Sequence, residues 1–317
     1  MSKKSLVGVA GLFLLIALTA CGGSDTTTET SVVETTETTE TTETTSASST
    51  YPVTVGDLTL AKQPMRIVSL SPTATEMLYA IGAGKQVVAV DDYSNFPAEA
   101  VALGTALSGF EPNVEAIAGF TPDLVVIAYD PGGLTDQLKT LSIPVFIAPA
   151  AATFDDAYAQ IEQLGALTGH LDTAVQVSAQ MQADISEAVA EVKIPATPLT
   201  YFHELDNTLY SATSNTFIGQ VYSLFGMTNI ADGVEAGNDY PQLSAEVIVK
   251  ANPDIIFISD SDSVETVAAR DGWGKLKAVT SNQVISLPAD IPSRWGPRLV
   301  EFVIAIRDAV LMTLANA

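Results

Sequence analysis

The sequence predicts an α/β protein made of two Rossmann-like lobes, each with a mainly parallel sheet, joined by one long α-helix. Short continuous apolar runs alternate with helical patterns along most of the chain, which is typical of parallel strands covered on both faces. A long helical pattern divides the runs into two sets, and one segment of the first half returns in the second half.

Seven apolar runs are predicted to be strands. The first of them is followed by Ser71, Pro72 and Glu76, a combination that favours the start of a helix. Each later run is likewise separated from the next by helical spacing, so parallel pairing is expected. The seven runs are 66–70, 86–90, 123–128, 144–148, 199–202, 254–258 and 283–287.

The segment between the two sets is helical in pattern. Residues 153–194 contain no proline and only two glycines, Gly165 and Gly169, and residues 172–193 have apolar side chains at helical spacing. A helix of about 20 residues spans about 30 Å, which is enough to bridge two lobes. The predicted boundaries are 51–152 for the N-terminal lobe, 153–196 for the linking segment and 197–317 for the C-terminal lobe.

One segment of the first lobe has a counterpart in the second. Glu115 lies eight residues before Asp123, and Glu246 lies eight residues before Asp254, so the offset is 131 at both positions. Each copy reads as a short helix bearing one glutamate, a Pro-Asp turn and a buried strand. The tendency of Pro-Asp to end a helix explains the turn in each copy, but it does not explain why both copies have a glutamate at the same place.

The first 50 residues predict export and a lipid anchor. Two lysines, an apolar run over 6–18 that is shorter than the ~20 residues of a membrane span, and small residues before Cys21 form a signal peptide over 1–21. Leu18-Thr19-Ala20-Cys21 resembles the bacterial lipobox; the alternative is a plain signal peptide with a chance cysteine. Residues 22–50 are rich in Thr and Glu and are expected to form a disordered tether, with a glycosylated stalk as the alternative. We expect Cys21 to hold the protein at the extracellular face of the plasma membrane.

The composition of the chain argues against several classes of function. The chain has 14 basic and 37 acidic residues and a formal net charge of −23, which argues against a nucleic-acid partner. It has two histidines and one cysteine, and it lacks a nucleophile motif and a phosphate-binding glycine loop, so no enzyme, resident metal or cofactor is expected. A secreted hydrolase or oxidoreductase, a zinc-type metal-ion-binding lipoprotein and an adhesive surface lipoprotein are the alternatives. A monomer is expected.

Several motifs together resemble one known family. In order and spacing they are similar to the substrate-binding proteins of ABC importers for iron–siderophore complexes, haem and vitamin B12, and the resemblance covers residues 62–315. The motifs are 66–76, 93–97, the two Pro-Asp segments, 209–212, 217–219 and 294–298.

The resemblance implies capture of a metal chelate between two lobes and its delivery to a membrane permease with its ATPase. Glu115 and Glu246 match the family's paired glutamates, which bind arginines of the permease. The loops after parallel strands form the natural crevice, and Phe110 is a further candidate there. The expected ligand contacts are Tyr93, Tyr129, His203, Tyr240, Asp290, Arg294 and Trp295.

The identity of the chelate stays open from the sequence. The chain has only five arginines, and Arg294 is the one placed clearly in the expected cleft. This slightly favours a neutral or weakly charged ligand such as a corrinoid of the cobalamin type; a ferric siderophore stays a comparable interpretation, and haem is a further alternative. Arg298 is expected to begin the last helix and to be structural. A single linking helix also predicts that the lobes close only slightly.

Overall fold

The computed structural model describes residues 50–105, 107–260 and 262–316. The predicted signal peptide, Cys21 and nearly all of the predicted tether lie outside the described residues. Within the described ranges, no helix has both the length and the apolar character that crossing a membrane requires.

The first lobe is built on a four-stranded parallel sheet, preceded by a short antiparallel hairpin. Its elements in chain order are β1 (Val53–Val55), β2 (Leu58–Leu60), β3 (Ile67–Leu70), α1 (Pro72–Ala80), β4 (Val87–Val90), α2 (Ala98–Val101), α3 (Val114–Gly119), β5 (Leu124–Ile127), α4 (Leu134–Thr140) and β6 (Val145–Ile147).

The linking segment and the second lobe follow the same alternation of helix and strand. Their elements are α5 (Phe154–Thr168), α6 (Leu171–Ala190), β7 (Thr200–Glu204), α7 (Phe217–Ser223), β8 (Thr228–Asn229), α8 (Ala245–Ala251), β9 (Ile255–Ile258), α9 (Val264–Ala268), α10 (Lys277–Thr280), β10 (Val284–Ser286) and α11 (Leu299–Ala315).

The two sheets have the same strand order. The first runs β4-β3-β5-β6 and the second runs β8-β7-β9-β10, with every pair parallel. In each four-stranded sheet the strand that comes first along the chain, β3 or β7, is central; the second lies on one side of it, and the third and fourth lie on the other. The prediction of two α/β lobes with parallel sheets is confirmed.

Both faces of the first sheet are covered, as its apolar strands predict. Side chains alternate across a strand, and Ile67 of β3 joins one hydrophobic cluster with Met77 of α1, whereas Val68 joins another with Ile117 of α3 and Leu138 of α4. A shift of one strand by one residue would exchange the side chains that pack on the two faces.

The lobes are linked through an antiparallel helix pair. Thr153 and Asp156 form a capping box that begins α5, and Gly169, with φ of 78°, ends it in the left-handed conformation. A Cβ at Gly165 would lie 2.3 Å from Cβ of Ala174, so this glycine is what lets α5 and α6 approach closely. The 20-residue helix α6 packs against both α5 and α11 and is the long helix that the sequence predicts.

The repeated Pro-Asp turn has a structural role in both lobes. Asp123 Oδ1 accepts a hydrogen bond from the backbone N–H of Arg66 at 2.8 Å, and Asp254 Oδ2 accepts one from that of Thr200 at 2.8 Å. Each aspartate therefore anchors the amino end of its lobe's central strand, β3 or β7. The turns also match in backbone conformation, since Thr121 and Asn252 have φ of 47° and 49°. This accounts for the Pro-Asp pairs, but not for the glutamates that precede them.

Candidate functional site

A cavity of about 550 Å³ lies along the carboxyl edge of the first sheet. Its lining follows the strands one by one: Leu70 ends β3, Asp91 follows β4, Ala128 follows β5 and Pro149 lies just beyond β6. Ligands of open parallel sheets bind at this edge, because there the loops are free to vary while the strands hold them in place. The structure therefore has a cavity at the place where the sequence predicts the cleft.

Three exposed aromatic rings, those of Tyr93, Phe110 and Tyr129, line one side of this cavity. We call these three residues the aromatic floor. They are 55%, 62% and 46% exposed. Phe110 meets Tyr93 edge-on with ring centroids 5.5 Å apart, and its centroid lies 6.3 Å from that of Tyr129. A contiguous exposed apolar patch inside a cavity is a feature of binding sites. Tyr93 and Tyr129 lie where the sequence predicts them, and so does Phe110.

A second cavity of about 390 Å³ continues the cleft toward the second lobe. Ala150 and Trp295 line both cavities, and Tyr240 lines the second. The indole Nε1 of Trp295 donates to Oε1 of Gln160 on α5 at 3.2 Å, which fixes the ring between the two cavities. Trp295 and Tyr240 thus lie in the cleft, as expected.

Arg294 reaches the first cavity, but acidic groups already neutralise it. Its Nη2 donates to Asp290 Oδ1 at 2.9 Å, and its Nε lies 3.6 Å from Oε1 of Glu76, a buried residue of α1 in the other lobe. Arg298 also contacts that Glu76 oxygen at 3.4 Å and begins α11, which agrees with its predicted structural role. Asn95 of the first lobe donates to Asp290 Oδ2 at 2.7 Å, so Asp290 and Arg294 both bridge the lobes.

Burial decides the protonation of Glu76. Loss of solvation raises the pKa of Glu76 to about 7, and the nearby Arg298 and Arg294 only partly oppose the shift. Two arginines therefore share one carboxyl group whose charge changes near neutral pH.

A further cavity of about 570 Å³ is lined by Glu76, Tyr79, Phe96 and Arg298 among others. None of the seven predicted ligand residues lines it. It lies at the end of α1, away from the carboxyl ends of the strands, so the cleft remains the candidate site.

His203 does not lie in the cleft, and this expectation is corrected. Its side chain is completely buried in β7, where Nδ1 is 2.6 Å from the hydroxyl of Tyr222 and Nε2 is 3.2 Å from that of Ser259. Burial lowers the pKa of His203 to about 3, so the ring is neutral. The strand extends to Glu204, beyond its predicted end, and takes the histidine into the core.

Asp91 is a cleft residue that the sequence analysis missed. Its Oδ1 accepts a hydrogen bond from Oγ of Ser94 at 2.5 Å, and behind it Thr75 links Ser94 to Ser69 through hydroxyls 2.8 and 2.9 Å apart. Burial raises the pKa of Asp91 to about 6, although the Ser94 hydrogen bond opposes the shift. The available signal was its position directly after a predicted strand.

The two matched glutamates are exposed in the first turns of equivalent helices. Asn113 caps α3 before Glu115, and Ser244 caps α8 before Glu246, each through a side chain that accepts from a backbone N–H. Acidic side chains at this position also stabilise a helix by interacting with its dipole. Their exposure and equivalent positions make both available to a partner.

The described residues contain one acidic group compact enough to hold a metal ion, formed by Glu204, Asp260 and Asp262. The guanidinium of Arg270 already occupies it, donating to Glu204 at 2.6 Å and to Asp262 at 2.8 Å. No histidine belongs to the group. The geometry therefore gives the zinc-type alternative no support.

Comparison with known proteins agrees with this arrangement. Residues 67–291 match the periplasmic binding protein family. The chain belongs to this family. A relative from Bacillus subtilis, the uncharacterized ABC transporter substrate-binding lipoprotein YvrC, is 28% identical, with 98% of each chain covered. A cobalamin-binding protein of Halobacterium salinarum is 32% identical over 80% of this chain and 72% of the relative.

Solved structures share the architecture. The periplasmic vitamin B12-binding protein BtuF of Vibrio cholerae superposes with a TM-score of 0.64 and 27% identity, covering 80% of this chain and 98% of that one. The expectation of an ABC-importer substrate-binding protein is confirmed. The matched family and the named relatives are binding proteins, which is consistent with the expectation of a protein that is not an enzyme.

Proposed function

We propose that this chain captures an uncharged metal chelate of the cobalamin type between its lobes and delivers it to an ABC permease with its ATPase. The observation that carries the proposal is an exposed aromatic floor beside an arginine whose charge is already neutralised. The proposed contacts are Tyr93, Tyr129, Tyr240, Asp290, Arg294 and Trp295.

The aromatic floor suits a large, flat chelate. Tyr93, Phe110 and Tyr129 leave much of their ring surface open, and Tyr240 and Trp295 add two further aromatic side chains along the cleft. Aromatic faces contribute large apolar contact area, while a few polar groups set the orientation of the ligand. The corrin macrocycle, with its apolar faces and peripheral carboxamides, matches both requirements.

The charges of the cleft favour an uncharged chelate over an anionic one. Arg294, the arginine that lines the cleft, shares its charge with Asp290 and Glu76. An anionic ferric siderophore or the propionates of haem would need cations that are free to pair with them. Relatives named as cobalamin- and vitamin B12-binding support the same class.

Titration of the full chain in detergent tests the ligand class. Intrinsic fluorescence and calorimetry would follow binding of cyanocobalamin, haemin and the anionic ferric enterobactin. We expect sub-micromolar binding of cyanocobalamin and at least hundredfold weaker binding of the other two. Tighter binding of an anionic chelate would overturn the ligand class, and binding of none would overturn the function.

The same proposal includes the anchor. Cys21, in its lipobox-like setting, would carry a lipid that holds a monomeric protein at the extracellular face of the plasma membrane, and a relative is named a lipoprotein. Cys21→Ser should move the protein from the membrane fraction into the medium. Retention of that variant on the membrane would contradict lipid anchoring, and light scattering on the purified chain would test the monomer.

A further inference from the structure

Asp91 presents a carboxylate at the edge of the aromatic floor. The side chain is only 4% exposed and lines the first cavity together with Gly109. A Cβ at Gly109 would lie 3.0 Å from Oδ2 of Asp91, so the glycine leaves the space beside that oxygen open. The other oxygen is held by Ser94, which Thr75 holds in turn. The carboxylate is therefore fixed in position with one oxygen beside a glycine of the cavity wall.

No basic side chain compensates this carboxylate directly. Among the residues that the structure describes, Asp91 forms no ion pair, and the pairs of Arg294 are with Asp290 and Glu76. A buried charge without a close counter-ion repels a like charge strongly, because little water screens it. A hydrogen-bond donor, by contrast, would gain a charge-assisted bond there.

We propose that Asp91 is a specificity-determining residue. Its carboxylate accepts a hydrogen bond from a carboxamide or other N–H group of the chelate, and it repels chelates that bring a carboxylate to the aromatic floor. The inference rests on the proposed function and deepens it by assigning the choice between uncharged and anionic ligands to one side chain. At an effective dielectric constant of about 20, a second carboxylate about 5 Å away would be disfavoured on the order of a hundredfold.

The pH dependence of ligand selectivity would identify this role of Asp91. Asp91 is charged at pH 8 and largely protonated at pH 5.5, because burial raises its pKa to about 6. Protonation removes the repulsion, so discrimination against anionic ligands should weaken as pH falls. The other charged groups facing this wall are Asp92 beside it and Arg294 across the cleft, with Asp290 and Glu76 behind the arginine.

A matched ligand pair isolates the effect. Cyanocobalamin and its separated monocarboxylic acids, in which one peripheral carboxamide is hydrolysed, differ by a single charge. Their affinities would be measured by calorimetry at pH 8 and pH 5.5 for the wild-type chain, Asp91→Asn, the exposed neighbour variant Asp92→Asn, and Ser94→Ala, which keeps the charge. Melting curves would check that each variant is folded.

In the wild type, we expect at least one monocarboxylic acid to bind tenfold or more weakly than cyanocobalamin at pH 8, with a smaller ratio at pH 5.5. Asp91→Asn should bring the pH 8 ratio to within threefold of one, whereas Asp92→Asn and Ser94→Ala should keep it. An unchanged ratio in Asp91→Asn, equal relaxation in Asp92→Asn, or a wild-type ratio independent of pH would overturn the inference. Failure of every variant to bind cyanocobalamin would instead overturn the proposed function.

Discussion

Removing the central ring of the aromatic floor should weaken ligand binding strongly. Phe110 is 62% exposed and lies between Tyr93 and Tyr129. A bound chelate would cover most of that exposed area, roughly 100–120 Å² for an aromatic side chain of about 150–250 Å². At about 25 cal/mol per Å², Phe110→Ala should cost about 2–3 kcal/mol of binding free energy, or a 30- to 150-fold loss of affinity.

The cost in folding stability is separate and follows from the same coefficient. The buried part of Phe110, roughly 60–75 Å², contributes about 1.5–2 kcal/mol to folding, and its two ring contacts add on the order of 1 kcal/mol, so the loss of affinity and the loss of stability are measured separately. Met65 offers a matched control, since it is 60% exposed and does not line the cleft. Calorimetric titration with cyanocobalamin and denaturant unfolding would be run on Phe110→Ala, Met65→Ala and the wild type. An affinity of Phe110→Ala within threefold of the wild type, or an equal loss in Met65→Ala, would refute the assignment of the aromatic floor to ligand binding.

Three other perturbations test the rest of the architecture. Glu115→Ala combined with Glu246→Ala should abolish uptake in cells but leave ligand affinity unchanged, because both side chains are exposed away from the cleft lining; normal uptake would exclude docking through them. Arg270→Ala should lower the free energy of unfolding by about 3–5 kcal/mol, because it leaves the fully buried Glu204 unpaired, and adding Glu204→Gln should recover most of the loss in urea melts. Glu76→Gln should flatten the pH dependence of the free energy of unfolding. Because burial raises the pKa of Glu76 from 4.5 to about 7, the protonated carboxyl stabilises the fold below pH 4.5, and this stabilisation is lost as pH rises through about 7. An unchanged pH dependence in the variant would contradict the burial of Glu76.

Most strands could be predicted because they are continuous apolar runs. Strands such as β5 and β9 are buried along their whole length and differ from the predicted runs only at the ends. The strand β8 was missed because it consists only of Thr228 and Asn229, which pair with β7 without any apolar pattern. The hairpin of β1 and β2 was missed because three-residue strands carry too few side chains to show a period.

Residues of the site that follow the ends of strands could be predicted from the sequence. Features that depend on contacts between residues distant in the sequence could not. Tyr93 and Tyr129 follow strands closely, and both line the cavity. His203 was assigned wrongly because β7 continues past it and Tyr222, remote in sequence, supplies its hydrogen-bond partner. The neutralisation of Arg294 depends on Glu76, more than two hundred residues away, and no local pattern reveals such a partner.

The identical strand order of the two sheets bears on how such a chain originates. Both lobes place the first strand at the centre, use a left-handed turn at equivalent positions and tie the central strand through an aspartate of that turn. Tandem duplication of one ancestral lobe would account for these equivalences. The first lobe carries the aromatic floor and the second carries Arg294, Trp295 and Tyr240, so a pseudo-symmetric scaffold carries an asymmetric binding surface.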